Sequence, residues 1–257
     1  IGKKGERQII AANIDYAFIM QSADSNFNVN RLERYMSICY SSGIKPVLLI
    51  SKTDLATGDF LREAVEKVMK RENKIECILL NNFDQKSLDE VSSYIRTGKT
   101  YCVVGSSGVG KSTLINNLLK SEVQKTGSIS ESTGKGRHIT GHRELFVLEN
   151  GAIIIDTPGM KELGMTDNID GIQATFDNIA GLALKCKFTD CRHIDEAGCA
   201  VLDALENGII DGDSLSNFRK MLKEQEYFTS TEAEKRKKDH EFGKMVKKAL
   251  NVKRKSF

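Results

Sequence analysis

Residues 100–113 read TYCVVGSSGVGKST, and this stretch decides the fold. Thr100–Val104 is an apolar run with strand character, and Lys111–Lys120 carries a helical pattern. Between them, Gly105-Ser106-Ser107-Gly108-Val109-Gly110-Lys111-Ser112 fits G-x-x-x-x-G-K-[ST], with Thr113 following. The chemistry needs these residue types. Glycines let successive backbone N–H groups point inward around phosphate oxygens, and the helix N-terminus adds favourable potential. Lys111 is placed to reach the β- and γ-phosphates, and the Ser112 hydroxyl to ligate Mg²⁺.

Strand and helix signals alternate on either side of this loop. Ile14–Gln21, Pro46–Ile50, Ile75–Leu80 and Thr100–Val104 read as strands, and Val29–Tyr40 and Phe60–Arg71 as helices. Ser87-Leu-Asp-Glu90 has capping-box spacing and is expected to open a helix ending near Gly98. Glu144–Glu149 and Ala152–Asp156 flank Asn150-Gly151, a two-residue hairpin signal. Alternation of this kind predicts a mainly parallel sheet with helices on both faces. Ser121–His142 is a long polar loop, expected to be functional or mobile. Beyond about residue 165 strand signals stop, which predicts a smaller helical unit.

Two further motifs sit at predicted strand ends. Asp156-Thr-Pro-Gly159 places a carboxylate about 45 residues after the phosphate loop, where a second Mg²⁺-linked group belongs, and Gly159 could offer its N–H to a γ-phosphate. Ser51-Lys52-Thr53-Asp54 follows PVLLI and resembles the guanine-reading [NST]-K-x-D motif of GTPases. A carboxylate there accepts from guanine N1–H and the exocyclic amine, and is left unpaired by the wrong base. Read alone, Lys-Thr-Asp is equally a helix N-cap. The order is reversed from ordinary GTPases: the base reader precedes both phosphate motifs, the order of circularly permuted GTPases.

Cys186-x4-Cys191-x-His193-x5-Cys199 supplies three thiolates and one imidazole within fourteen residues, a closed tetrahedral set typical of structural zinc. Cys39, Cys77 and Cys102 lie singly in apolar stretches and read as core residues. Of the 257 residues, 40% are hydrophobic and 28% charged, which excludes a chain disordered throughout. No run of eighteen apolar residues and no signal-peptide pattern occur, so no membrane partner, a cytoplasmic location and no disulfide framework are expected. Net charge is +3, but from Lys235 onward ten Lys or Arg face only Asp239 and Glu241, so the tail carries +8 and the remainder −5. A basic tail on an acidic body points to a polyanionic partner, nucleic acid first.

With these elements together, the chain resembles the ribosome small-subunit-dependent GTPase A family, permuted bacterial GTPases acting late in small-subunit maturation. The resemblance rests on residues 8–15 (QIIAANID), Asn28–Tyr35, SKTDL, GSSGVGKST, GKGRHIT, DTPG and CKFTDCRHIDEAGCAV. It implies a P-loop GTPase fold in permuted order over residues 13–165, a zinc-binding helical unit with the basic tail over 166–257, and residues 1–12 as a linker from an oligonucleotide-binding barrel. It implies GTP and GDP as ligands, Mg²⁺ held by Ser112, Thr140 and Asp156, one structural zinc, and the small ribosomal subunit and its rRNA as partners of a monomer. Lys52 and Asp54 match the base reader. Gly105, Gly110, Lys111, Ser112 and Thr113 match the phosphate loop, and Thr140 the switch threonine. Three positions depart from the family pattern: Ser51 stands for the common Asn or Thr, Ile139 for a first Thr, and Asn81-Asn82 for the Ser-Ala that supports the guanine oxygen. Met160 occupies the place where many GTPases carry a water-orienting Gln, and the resemblance offers His138 instead, with an RNA contact as its alternative role. Slow intrinsic turnover, stimulated by the ribosome, is the expectation. The competing readings are a nucleotide-gated RNA-binding module, an ATPase, and a permuted GTPase with another RNA partner.

Overall fold

The computed structural model describes residues 11–120, 144–157 and 168–230. The expectations placed on His138, Ile139, Thr140, Gly159, Met160, the 165/166 boundary and the basic tail lie outside the described residues. Strands β1 (Tyr16–Ser22), β2 (Lys45–Ser51), β3 (Glu76–Leu80), β4 (Thr100–Gly105), β5 (Glu144–Val147) and β6 (Ile153–Asp156) form one sheet in the order β3-β2-β1-β4-β6-β5. All neighbours are parallel except β5, which pairs antiparallel with β6. β1, β2 and β4 are interior strands buried on both faces, which is why they read as continuous apolar runs.

Side-chain alternation splits this sheet's contacts into two layers. Phe18, Met20, Val47, Leu49 and Val103 face helices α3 (Gln85–Ser93) and α4 (Lys111–Leu119) through Val91, Leu114 and Ile115. Ala17, Ile19, Leu48 and Ile50 face α1 (Val29–Ser41) and α2 (Gly58–Arg71) through Leu32, Met36 and Val68. The chain leaves β1 toward one face and β4 toward the other. A crevice therefore opens between the carboxyl ends of these adjacent strands, the usual ligand position in such sheets.

Three local expectations need correction. The cap of α3 is Asp84, which accepts from the Ser87 N–H, so the helix begins at Gln85 and ends at Ser93. Ser87 is instead tied to β3: its hydroxyl donates to the Leu79 carbonyl (3.0 Å) and accepts from the Asn81 N–H (2.8 Å). The α2 helix starts at Gly58, two residues before Phe60, because Thr57 is its cap. The hairpin loop has three residues, Glu149 to Gly151, between a paired Leu148 and Ala152. A two-residue type I′ turn needs two left-handed residues, and here only Gly151 (φ 78°) is left-handed. Cys39 and Cys102 are buried as expected, while Cys77 is half-buried against the same layer.

Among the described residues after 168 there are only helices: α5 (Ile169–Thr175), α6 (Asp177–Ala183), α7 (Ala200–Glu206) and α8 (Gly212–Thr229). They share a core of Ile172, Phe176, Ile179, Val201, Leu215, Phe218 and Met221, to which Ile38 of α1 adds. The outer face of α1 is their docking strip. Gly171 of α5 approaches so closely that a Cβ would stand 2.0 Å from the Ser37 carbonyl oxygen. Asn168 donates to the Ser37 hydroxyl (2.7 Å), and the Arg34 guanidinium grips both carboxylate oxygens of Glu224 (2.8 and 2.6 Å). Glu33, only 2% exposed, accepts from Asn217 (2.6 Å) and Ser214 (3.4 Å), with Arg71 at 3.6 Å. Among the described residues, no helix is long and apolar enough to cross a membrane.

Candidate nucleotide site and metal centre

The phosphate and base motifs end up on one edge because they terminate parallel strands of one sheet, β4 beside β6 and β2 one strand away across β1. Asp156 closes β6 in register with Val103, Gly105 closes β4 opposite Met20, and Ser51 closes β2 opposite Ser22. The phosphate loop is pressed hard onto β1: a Cβ on Gly105 would lie 2.4 Å from the Met20 carbonyl oxygen, so no larger residue fits. Gly110 takes the left-handed conformation (φ 96°) that turns the chain into α4.

Lys111 is buried, and its ammonium donates to the Gly105 (3.0 Å) and Ser106 (2.9 Å) carbonyls. An ammonium has three N–H donors, so a third remains for a phosphate oxygen. Burial pushes its pKa down, and the Asp156 carboxylate opposes that shift, keeping positive charge where phosphate would bind. Asp156 itself is buried. The neighbouring Thr157 hydroxyl donates to the Val103 carbonyl (2.6 Å), tying this second motif to the phosphate-loop strand. Ser112 and Thr113 open α4 and are half-buried; Ser107 is half-buried and Gly108 exposed on the loop's outer rim.

Ser51 is fully buried, and its hydroxyl lies 2.6 Å from the Val109 carbonyl and 3.2 Å from that of Gln21, so it links the end of β2 to the phosphate loop. The chain then turns at Lys52, left-handed at φ 59°, into a short 3₁₀ turn, Thr53–Leu55. Since Thr57 caps α2, Asp54 has no capping duty, and it lines a cavity of about 450 Å³ with Thr53, Leu61, Leu79, Asn81 and Ser87. Asn81 spends its side-chain carbonyl on the Phe83 N–H (2.9 Å). Asn82 is buried and its side-chain amide donates to the Gly110 carbonyl (3.3 Å), while its backbone carbonyl accepts from the Asn117 side chain (2.7 Å). These two asparagines therefore brace the loop between this cavity and the phosphate loop.

Sequence reading missed the residues that hold these motifs in place. Gln21, buried at the end of β1, pairs with both backbone groups of Asn28 (3.1 and 2.8 Å) and fixes the start of α1. Arg31, one turn on, donates to the Ser106 hydroxyl (2.9 Å). A polar residue ending an otherwise apolar strand was the only local signal for Gln21.

In the C-terminal unit the ligand atoms of Cys186, Cys191, His193 and Cys199 all lie within 4.8 Å of one another. A tetrahedral zinc with sulfur at about 2.3 Å and nitrogen at about 2.1 Å requires S···S of about 3.8 Å and S···N of about 3.6 Å. The observed Cys186–Cys199 separation is 3.8 Å, and His193 Nδ1 lies 3.6 and 3.4 Å from these two sulfurs. The residues present thus fit a four-coordinate metal. Glu196 stiffens the loop: its carboxylate accepts from the N–H groups of Arg192, Ile194 and Asp195, which hold its pKa down to about 2. Leu202 donates its N–H to the Cys199 sulfur (3.4 Å).

Residues 2–166 match the family model described as RsgA GTPase. The chain belongs to this family. Membership makes it a GTP-hydrolysing enzyme whose nucleotide chemistry uses Mg²⁺. A relative in Vibrio parahaemolyticus, named small ribosomal subunit biogenesis GTPase RsgA 2, is 40% identical over 99% of this chain and 70% of its own length. A relative in Methanosarcina acetivorans, named small ribosomal subunit biogenesis GTPase RsgA, is 42% identical over 98% of this chain and 68% of its own length. Among solved structures, YjeQ from Thermotoga maritima superposes with a TM-score of 0.61 at 24% identity, covering 81% of this chain and 70% of that one. YloQ, described as a circularly permuted GTPase, gives the same score and identity over 85% and 70%. These two likenesses are of fold.

Proposed function

We propose that this chain is a GTP-hydrolysing ribosome biogenesis factor that binds the small ribosomal subunit and acts late in its maturation, with nucleotide state controlling binding and release. The observation that carries the nucleotide reading is the convergence of Lys111, Asp156 and Asp54 at the carboxyl ends of β4, β6 and β2, with Ser51 joining base reader to phosphate loop. The names of the relatives support the ribosomal reading.

In this reading the N–H groups of residues 106–112 and the third N–H of Lys111 receive the phosphates. Ser112, Asp156 and Thr140 hold Mg²⁺, which neutralises phosphate charge. Asp54 reads the guanine edge and the Lys52 stem covers the base. Water attacks the γ-phosphorus, the bond to the β-bridging oxygen breaks, and GDP, phosphate and a proton leave. Such a reaction depends on positioning more than on bond-making chemistry, so a chain with Met160 in place of Gln turns over slowly alone and faster with the subunit, with His138 serving in place of the Gln. The Cys₃His set holds a structural zinc, and the basic tail contacts rRNA phosphates. The protein acts as a cytoplasmic monomer.

The test is GTP hydrolysis with and without purified small subunits, alongside ATP and a Lys111→Ala variant. Stimulation specific to GTP and lost in the variant is expected. Turnover that ignores the subunit would overturn the ribosomal assignment, and equal use of ATP the base assignment.

A further inference from the structure

Arg31 stands at the crevice between β1 and β4, where the chain diverges to opposite faces of the sheet. It sits in the first turn of α1, with its guanidinium extended to the phosphate loop and its Nη1 donating to Ser106 Oγ at 2.9 Å. Among the described residues Ser106 is the one hydrogen-bond partner of this guanidinium, although a guanidinium carries five N–H donors in a rigid fork. Arginine so placed is ordinarily found paired with a carboxylate. Here the charge is brought to a loop whose chemistry is anion binding.

The placement is rigid at both ends. Asn28 caps α1, accepting from the backbone N–H of Arg31 (3.0 Å), and is itself gripped by the buried Gln21 at the end of β1. One turn further along, Arg34 is bidentate to Glu224, and Glu33 is bonded to Asn217. The helix therefore presents Arg31 with little freedom to lose, and ordering it costs less than ordering a long side chain on a free surface. At the other end, Ser106 is held twice: its hydroxyl by Arg31 and its carbonyl by Lys111 (2.9 Å). Its predecessor Gly105 is packed against the Met20 carbonyl. Ser106 is thus the point where α1, the catalytic lysine and the wall of β1 meet.

We propose that Arg31 is a positioning residue of the phosphate loop, holding Ser106 so that the loop is already shaped for the nucleotide phosphates and adding positive potential from the α1 side of the crevice. The proposal rests on the reading of this loop as the GTP site. A loop held in its receiving form binds phosphate without first ordering itself, so the effect falls on nucleotide affinity more than on the chemical step. It also makes Arg31 and Ser106 act together: with either side chain removed, the hold on the loop is lost.

A double-mutant cycle reads this directly. Dissociation constants for fluorescent GDP and for a non-hydrolysable GTP analogue are measured on the full chain, Arg31→Ala, Ser106→Ala and the double variant. KM and kcat for GTP and the unfolding midpoints are measured alongside. Each single substitution is expected to weaken nucleotide binding by about tenfold, the size of one hydrogen bond with a charged donor. The double variant is expected to be no weaker than the poorer single, and the loss in kcat/KM to fall more on KM than on kcat. Arg31→Lys, which keeps the charge and loses the fork, should recover part of the affinity. Singles that bind as tightly as the parent would overturn the proposal, as would additive losses or a loss confined to kcat. If Arg31→Ala does not fold, Ser106→Ala and Arg31→Lys decide by the same criteria. A parent chain that binds no GTP, or binds ATP equally, would overturn the nucleotide reading itself. Normal parent binding with unaffected variants overturns the role of Arg31 alone.

Discussion

Replacing Glu33 by Gln should remove a pH dependence that the packing of the C-terminal helices builds into the protein. Glu33 lies between α1 and α8, 2% exposed, bonded to Asn217 and Ser214 with Arg71 at 3.6 Å. Arg71 is shared with Asp211 (2.6 Å) and Asp213 (3.3 Å), so it only partly compensates the buried charge. Burial therefore dominates and lifts the Glu33 pKa from 4.5 to about 7, against the opposing pull of Asn217 and Arg71. The sign follows from proton uptake. Between these two values the folded state holds a proton that the unfolded state has released. The stabilisation is complete below the unfolded value and is lost as pH rises through the folded one. Between pH 6 and pH 8 the linkage amounts to roughly 1 kcal/mol of unfolding free energy lost by the parent and not by Glu33→Gln. The assay is denaturant unfolding of both proteins at pH 6, 7 and 8 with zinc saturating. Contributions common to both, including that of Glu72, whose burial also raises its pKa to about 7, cancel in the difference. A difference constant with pH to within a few tenths of a kcal/mol would refute the reasoning and show the carboxylate to be ionised and fully compensated in the fold.

Three further outcomes are expected. Gly171→Ala places a Cβ 2.0 Å from the Ser37 carbonyl oxygen and 2.9 Å from its carbon, and since backbone cannot yield, about 3 kcal/mol of stability should be lost; a change under 1 kcal/mol in chemical unfolding would show that α5 slides freely on α1. Cys191→Ser should reduce metal content from about one zinc per chain and lower the melting temperature, with GTP affinity altered by less than about threefold; a metal-free variant as stable as the parent would count against a structural site. Asp54→Asn turns an acceptor into a donor facing the guanine donors, so GTP binding should fall by about a hundredfold or more and xanthosine triphosphate should become the better ligand; an undiminished guanine preference in competition binding would remove Asp54 from the base site.

Local spacing made much of this molecule legible. The phosphate loop is a run of consecutive residues whose conformation depends mainly on its own glycines and the helix that follows. The four residues that could hold a metal lie within fourteen residues, so their meeting needs no distant partner. The interior strands were readable because burial on both faces leaves an unbroken apolar run. At α3 two caps competed in the same stretch. Asp84 and Ser87 each satisfy a capping pattern, and the choice fell to Asp84 because the Ser87 hydroxyl is taken by Leu79 across the gap to β3. Ser51 is legible as the first position of its motif, but the bond of its hydroxyl to the Val109 carbonyl, fifty-eight residues away, is not.

The order of motifs along the chain, base reader before phosphate loop, belongs to the sequence alone, as do the ligand set of the metal centre and the alternation that dictates a parallel sheet. Tertiary structure decided what joins them. Arg31 reaching Ser106, Gln21 holding Asn28, Arg34 gripping Glu224 and Glu33 buried beneath α8 are contacts between residues that no local pattern pairs. Their geometry exists only after the sheet has set β1 beside β4 and the C-terminal helices have docked on α1. The physical reason is range: backbone preference and hydrophobic periodicity act over a few residues, whereas these side chains are brought together by the packing of whole elements.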